Sequence, residues 1–304
     1  MTTNPEAGSS SLPISGLAVL DKPAGWTSHQ LVGRIRRLAG TRKVGHAGTL
    51  DPMATGVLIM GVEKATRLLG YLALSDKAYQ ATIRLGIGTF TDDATGEIVT
   101  AKGAADLGEA EIEAAMDDLR GDIFQVPAAV SAIKISGVRS YRRVRAGQSV
   151  ELSARPVTIG RFDVLDQQEV QVDALRCVDL TVIVECSSGT YVRALARDLG
   201  AALGVGGHLT VLRRTRVGTF TLDEAQTLEE AEQQLRTMPM DSVARTSFST
   251  LTVTDAQARY VHNGRRLTDV TLPNRTTALL DPAGAFLALY RQEGPDAIAE
   301  AVFV

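Results

Sequence analysis

Gly45-His46-Ala47-Gly48-Thr49-Leu50-Asp51-Pro52-Met53-Ala54-Thr55-Gly56 is the densest run of chemically loaded residues in the chain. It has no hydrophobic period. Its three glycines and one proline let a backbone turn tightly and approach a ligand closely. A single carboxylate, Asp51, sits inside it, with Pro52 restricting the backbone of the acid. An isolated Asp-Pro pair is usually only a turn, so any chemistry assigned to Asp51 depends on its surroundings.

Upstream, Gly16-Leu17-Ala18-Val19-Leu20 reads as a strand entering the turn Asp21-Lys22-Pro23-Ala24-Gly25. Ser28 is then expected to cap a helix whose apolar positions Leu31, Val32, Ile35, Leu38 and Ala39 follow helical spacing. Residues 41 to 55 read as a loop, and Val57 to Met60 as a buried strand followed by a short helix near Lys64–Leu72. Tyr79 to Leu85 alternates apolar and polar, as a half-buried strand does, and Thr91 to Gly96 is turn chemistry between two strands. Ile112, Ala115, Met116 and Leu119 predict an acidic amphipathic helix ending at Gly121. Val178 to Cys186 alternates strictly, breaks at Ser187-Ser188-Gly189, and gives way to a helix with Val192, Leu195, Ala196 and Leu199 inward. Thr227 and Glu230 make a capping box.

After Ser247 the pattern changes to short strands, a helix near Asp255–Val261 closed by Gly264, and a hairpin at Asp281-Pro282-Ala283-Gly284. Strands and helices do not alternate as βαβ units, which predicts an α+β fold with a mainly antiparallel central sheet. The expected division is a disordered leader at 1–12, a large domain at 13–247 and a small β-rich domain at 248–304.

The 304 residues carry 44% hydrophobic and 22% charged side chains, ordinary for a globular protein. No apolar run approaches the roughly 20 residues a membrane helix needs. The polar, Ser-rich start lacks the apolar centre of a signal peptide, so a cytoplasmic location is expected. Two cysteines make no disulfide framework, and His29, His46, His208 and His262 are scattered, so no metal is expected. The net charge of −3 conceals segregation. From Lys22 to Lys43 there are six Lys or Arg and no acid; from Ser131 to Arg161 there are seven, against Glu151 alone. Two such blocks suggest a polyanion footprint.

The twelve-residue run closely resembles the catalytic motif of the TruB family, the bacterial tRNA pseudouridine-55 synthases. The resemblance continues at Leu20-Asp21-Lys22-Pro23-Ala24-Gly25-Trp26-Thr27-Ser28, Lys77-Ala78-Tyr79, Phe124-Gln125-Val126-Pro127 and Ser131-Ala132-Ile133-Lys134 with Gly137, Arg139 and Tyr141. It returns at Ser188-Gly189-Thr190-Tyr191-Val192-Arg193, and at Gly207-His208-Leu209 leading to Leu212-Arg213-Arg214. These landmarks keep the family's order from about Gly16 to Phe220.

The resemblance implies a pseudouridine synthase fold, a mixed and mainly antiparallel sheet flanked by helices, with a small PUA-like C-terminal domain. It implies Asp51 as the catalytic carboxylate and no cofactor. Arg193 is its positive partner, with Asp92 expected to hold Arg193 from the other side. Tyr79 stacks on the target base, His46 fills the place the flipped base leaves, and Tyr191 and Lys22 help shape the pocket. An RNA-clamping insertion at about 124–155 would bring Lys134, Arg139, Arg142, Arg143 and Arg145 to phosphates. The partner implied is the T-stem and loop of tRNA, bound by a monomer that needs no protein partner. The residues themselves leave three other readings open. One is a retaining glycosidase pairing Asp51 with Asp92 or Asp93, which needs two carboxylates of divided role. The others are an RNA chaperone and a guide-RNA-dependent relative of dyskerin.

Overall fold

The computed structural model describes residues 14–128, the backbone of 134–135 and 138–139, and residues 152–304. The leader read at 1–12, and Arg142, Arg143 and Arg145, lie outside the described residues. The chain opens with β1 (Gly16–Lys22), α1 (Ser28–Leu38), β2 (Val44–Ala47) and β3 (Thr55–Val62). A 3₁₀ turn at Glu63–Leu68 leads into α2 (Leu69–Leu72), then β4 (Lys77–Leu85), β5 (Ile87–Thr89) and β6 (Ile98–Ala101). Next come α3 (Glu109–Asp117), β7 (Gly121–Gln125), the two-residue pair β8 (Lys134–Ile135) and β9 (Val138–Arg139), and the long β10 (Arg155–Val172) and β11 (Leu175–Cys186). The large unit closes with α4 (Val192–Ala202), β12 (Gly207–Val217), β13 (Phe220–Thr221), α5 (Leu228–Gln233) and α6 (Met240–Ser247). Beyond it lie β14 (Ser249–Thr252), α7 (Asp255–His262), β15 (Thr276–Leu280), β16 (Phe286–Glu293) and β17 (Asp296–Val302).

The main sheet runs β1-β3-β12-β4-β11-β10-β7, with β2 also on β3 and β13 on β12. Only the β3–β12 pairing is parallel, so the sheet is mixed and mainly antiparallel as expected. That pairing positions the site. β1 occupies one edge of β3 from Gly56 to Val62. The other edge is divided: β2 takes Ile59 to Val62, and β12 takes Thr55 and Gly56. The loop carrying Asp51 joins β2 to β3 and therefore emerges where β2 and β12 part.

β1 is almost wholly apolar because both its faces are covered. Ala18 and Leu20 pack with α1 and α4 residues such as Leu31, Ile35 and Leu195. Leu17 and Val19 pack on the opposite side with Val243 of α6 and with Ala278, Leu280, Phe286 and Phe303 of the C-terminal unit. Its four-stranded sheet, β14-β15-β16-β17, thus backs onto the main sheet while Leu279, Leu287, Ala288 and Tyr290 form a core of its own with Val261 of α7. The hairpin at 281–284 is present, with Asp281 Oδ1 accepting from Ala285 N at 2.8 Å.

Three local expectations change. The cap of α1 is Thr27, which shares a full capping box with Gln30, not Ser28. Residues 41 to 55 are not all loop, since β2 pairs with β3 there. The acidic helix stops at Asp117 with Asp118 as its cap, short of Gly121. Gln125 of β7 pairs with Arg155 of β10, so the chain leaves and re-enters the sheet edge at one point around the proposed insertion. Among the described residues, no helix is long and apolar enough to cross a membrane.

Candidate active site

The loop bearing Asp51 is tied down at three points. Ser28, buried at the start of α1, accepts from Leu50 N at 3.0 Å and donates to Leu50 O at 3.1 Å. Lys22, fully buried under the loop, donates to Pro52 O at 3.2 Å and Pro23 O at 3.0 Å, and Gly25 N also donates to Pro52 O. Burial pulls the Lys22 ammonium down to about 8, against the attraction of Asp51. From the sheet side, Arg214 Nη2 donates to Gly48 O at 2.9 Å. Ser28→Ala is expected to cost about 1–3 kcal/mol, because it strands the Leu50 amide away from water. Chemical denaturation checks this; a loss no larger than that of a surface Ser→Ala change contradicts it.

Arg193, the second residue of α4, meets Asp51 with Nε–Oδ2 2.9 Å and Nη2–Oδ1 3.4 Å. The Arg193 side chain is 5% exposed and that of Asp51 36%, so the guanidinium holds the acid from within while the acid keeps an open side. Arg193 Nη1 also donates to Thr91 O at 2.7 Å. The acid at ion-pairing distance behind it is Asp93, at 3.6 Å, rather than the expected Asp92. Asp93 is fixed in turn by Thr91 Oγ1, Thr95 N and Thr95 Oγ1, all donating to its Oδ1. Asp92 instead pairs with Arg197, one turn along α4, at 3.2 Å.

Burial pushes the Asp92 carboxyl up to about 6, with Arg197 and then Arg193 opposing it. The folded value lies above the unfolded one, so ionising Asp92 costs stability as pH rises from about 4 through 6. Asp92→Asn should therefore gain stability relative to the parent protein across that window. Melting temperatures compared at pH 4 and pH 7 test the sign; a difference that moves the other way sinks it.

Asp51, Arg193, Tyr79 and Tyr191 line one cleft of about 250 Å³, together with Gly48, Lys77, Thr190, Leu212 and Arg214. Tyr79 is buried on β4, and burial raises its phenol while the Arg214 guanidinium opposes the shift. Tyr191 N donates to Gln125 Oε1 at 2.8 Å, and Gln125 Nε2 donates back to Tyr191 O at 3.1 Å, joining β7 to the start of α4. His46 stands on β2 opposite Met60, half-buried and outside the residues lining this cleft. Lys22 is likewise beneath the loop rather than in the wall. The backbones of Lys134 and Arg139 pair between β8 and β9; their side chains lie outside the described residues.

A roomier hollow, about 530 Å³, opens beyond Asp92 and Arg197. Apart from that pair and Lys102, its walls are glycine, threonine and apolar side chains, so the titratable chemistry is concentrated in the smaller cleft. Asp93, weighed in the sequence only as a glycosidase partner of Asp51, backs Arg193, and Lys77 and Arg214 are site residues that sequence reading missed. Two signals pointed to them: Lys77 lies two residues before Tyr79 on an alternating strand, and Arg214 closes the last landmark.

Residues 36–192 match the model of the TruB family pseudouridylate synthase N-terminal domain, and 193–247 that of the tRNA pseudouridylate synthase B C-terminal domain. Residues 248–304 match the tRNA pseudouridine synthase II C-terminal model. The chain is 56% identical to the tRNA pseudouridine synthase B of Nocardia farcinica over 93% of this chain and 91% of that protein. It is 54% identical to that of Mycobacteroides abscessus, covering 93% and 94%. Among solved structures, a Cbf5-Nop10-Gar1 complex contains a chain with TM-score 0.71 and 26% identity, covering 100% of this chain and 91% of that one. An H/ACA RNP bound to a substrate RNA containing 2′-deoxyuridine gives TM-score 0.69 at 25% identity, covering 95% and 85%.

Proposed function

We propose, because this chain belongs to the TruB family of pseudouridylate synthases, that it isomerises uridine to pseudouridine at position 55 in the T-loop of tRNA, with Asp51 as the reacting carboxylate. The observation that carries the reading is the cleft in which Asp51 meets Arg193, 142 residues away in sequence, beside the buried ring of Tyr79. The reaction breaks the N1–C1′ bond and joins C1′ to C5. It needs one carboxylate at the sugar, either attacking C1′ or taking a proton from C2′. Asp51 suits both routes, since Arg193 engages it from the buried side and leaves the cleft side open.

A cleft of this size takes a single nucleotide turned out of its stack, at a cost of a few kcal/mol. Stacking on Tyr79, worth about 1–3 kcal/mol, offsets much of that cost. Tyr191 closes the wall at the start of α4. His46, beside the cleft on β2, would occupy the gap the nucleotide leaves in the T-loop. Lys22 acts through the loop it supports, and Asp92 by fixing Arg197 next to the Arg193 turn. Lys134, Arg139, Arg142, Arg143 and Arg145 would contact phosphates, giving an affinity that falls with salt. The T-arm would be recognised by shape and exposed loop bases. The units at 13–247 and 248–304 act together as a cytoplasmic monomer without a guide RNA, with tRNA binding and folding as a secondary activity.

The test is tritium release from C5-labelled uridine in an unmodified tRNA transcript, using the purified chain alone. Release mapped to the T-loop uridine is the expected result. Binding without release overturns the isomerase reading for the isolated chain, and release from another position overturns the site assignment.

A further inference from the structure

The largest side chain wholly withdrawn from solvent among the described residues is a cation, Arg214, at 1% exposure. Its Nε donates to Val57 O at 2.7 Å and its Nη2 to Gly48 O at 2.9 Å. Lys77, 7% exposed, donates to Ala73 O at 3.0 Å and Ser75 O at 2.5 Å. Their hydrogen-bond acceptors among the described residues are therefore neutral. Arg193 in the same wall is matched by Asp51 and Asp93.

Withdrawing a charge from water onto neutral acceptors is costly even with Asp51 in the same cleft and Asp76 beside Lys77, and a fold that does so twice in one wall has a use for the field. Register explains how the two cations meet. Arg214 stands opposite Tyr79 across the β12–β4 pairing, and Lys77 is two residues from Tyr79 on the same face. The irregularity between Arg214 and Arg216 turns the strand just beyond, as bulges beside active sites do. Both cations also reach the Asp51 loop. A Cβ built on Gly48 would lie 3.4 Å from Arg214 Nη1 and 3.5 Å from Lys77 Cε.

We propose that Lys77 and Arg214 stabilise the uracil anion released when the N1–C1′ bond breaks, a role that rests on the isomerase reading above. The bond's electron pair stays on N1, leaving a negative charge spread over N1, O2 and O4. C1′ is satisfied either by a bond to Asp51 or by a C1′–C2′ double bond, with the C2′ proton on Asp51. The freed base turns, C5 bonds C1′ as the Asp51 bond breaks or the C2′ proton returns, and C5 then loses its proton to water. N1 takes up a proton, so atoms and charge balance. A phosphodiester could also answer two cations, but it keeps its charge near solvent, whereas these groups lie beside the ring of Tyr79. Preorganised charge aimed where charge develops acts on the rate rather than on affinity.

Single-turnover conversion of a T-arm RNA separates the possibilities, with either uridine or 5-fluorouridine at the target, using the full chain and its Lys77→Gln and Arg214→Lys variants. Fluorine already stabilises the departing anion, so its substrate needs the cations less. For Lys77→Gln we expect bond breaking in uridine to slow about 10²-fold, RNA affinity to hold within about threefold, and a clearly smaller slowing with 5-fluorouridine. Equal slowing of both substrates, or a loss appearing mainly in affinity and its salt dependence, overturns the proposal in favour of a packing or phosphate role. Arg214→Lys should follow the same pattern if it folds. If it does not, Lys77→Gln decides alone, with its melting curve matched to the parent. A parent protein that leaves uridine unconverted defeats the isomerase reading itself. An active parent with an unimpaired Lys77→Gln defeats only this assignment.

Discussion

Asp51→Asn is expected to reduce conversion of the target uridine by at least about 10⁴-fold, as removal of a group that reacts with substrate does, while tRNA binds within a few-fold of the parent protein. The substitution keeps the shape of the side chain and removes its charge and nucleophilicity. Arg193 keeps Asp93 at 3.6 Å and Thr91 O at 2.7 Å, so the buried guanidinium stays anchored and the cleft should hold its form. The loop is also secured independently of the carboxylate, through Leu50, Pro52 and Gly48. Affinity should survive because it rests on phosphate and shape contacts spread over a T-arm, not on one acid in a small cleft. Tritium release beside a filter-binding titration measures both quantities. A loss of binding as large as the loss of turnover would contradict this division of labour, and Asp51 would then be a binding residue.

Much of this site is legible in one dimension because its ends are written in local chemistry. Asp51 lies in a glycine-bounded loop, and Arg193 follows a strand break at Ser187-Ser188-Gly189; neither depends on distant residues to be noticed. The strands that alternate cleanly, β4 and β11, were equally legible. What was hidden depends on partners far along the chain. Thr27 and Ser28 are both competent caps, and the choice follows from Leu50, 22 residues on, which takes the Ser28 hydroxyl. β2 has only four residues and a glycine, too short for a period, and it exists because β3 offers an edge. β10 carries two register shifts against β11, which blur its alternation.

Asp92 and Asp93 are neighbours whose side chains diverge at a backbone with φ +60 at Asp92, so sequence order alone could not say which one backs Arg193. Lys77 and Arg214 were hidden for a different reason. Lysine and arginine are ordinarily surface residues, and a composition count cannot register that two of them have been drawn inside. The same rule explains why the segregated basic blocks were visible and the buried cations were not. The first signal is density along the chain; the second is created by the register of β4 against β12.

That register leads to the largest expected effect on stability, at Gly56. Its φ is +101, and a Cβ there would fall 2.1 Å from Arg214 O and 2.8 Å from Arg214 N. Both obstacles are backbone atoms, and β12 cannot retreat because β4 holds its other edge at the same residue, Arg214 opposite Tyr79. Gly56→Ala should therefore incur backbone strain and overpacking together, about 3–5 kcal/mol, a large part of the roughly 5–15 kcal/mol that holds a typical domain folded. Gly25→Ala is the informative comparison. Its φ of +82 is also left-handed, but no atom lies within 4 Å of the added Cβ, so it should lose only about 1 kcal/mol. Urea midpoints for the two variants separate conformational strain from collision. Equal losses would mean that β3 and β12 can part at Gly56, and the parallel joint would then not be what fixes Arg214 beneath the Asp51 loop. A far greater loss at Gly56 would mean that one missing side chain holds the two strands close enough to build the cleft wall.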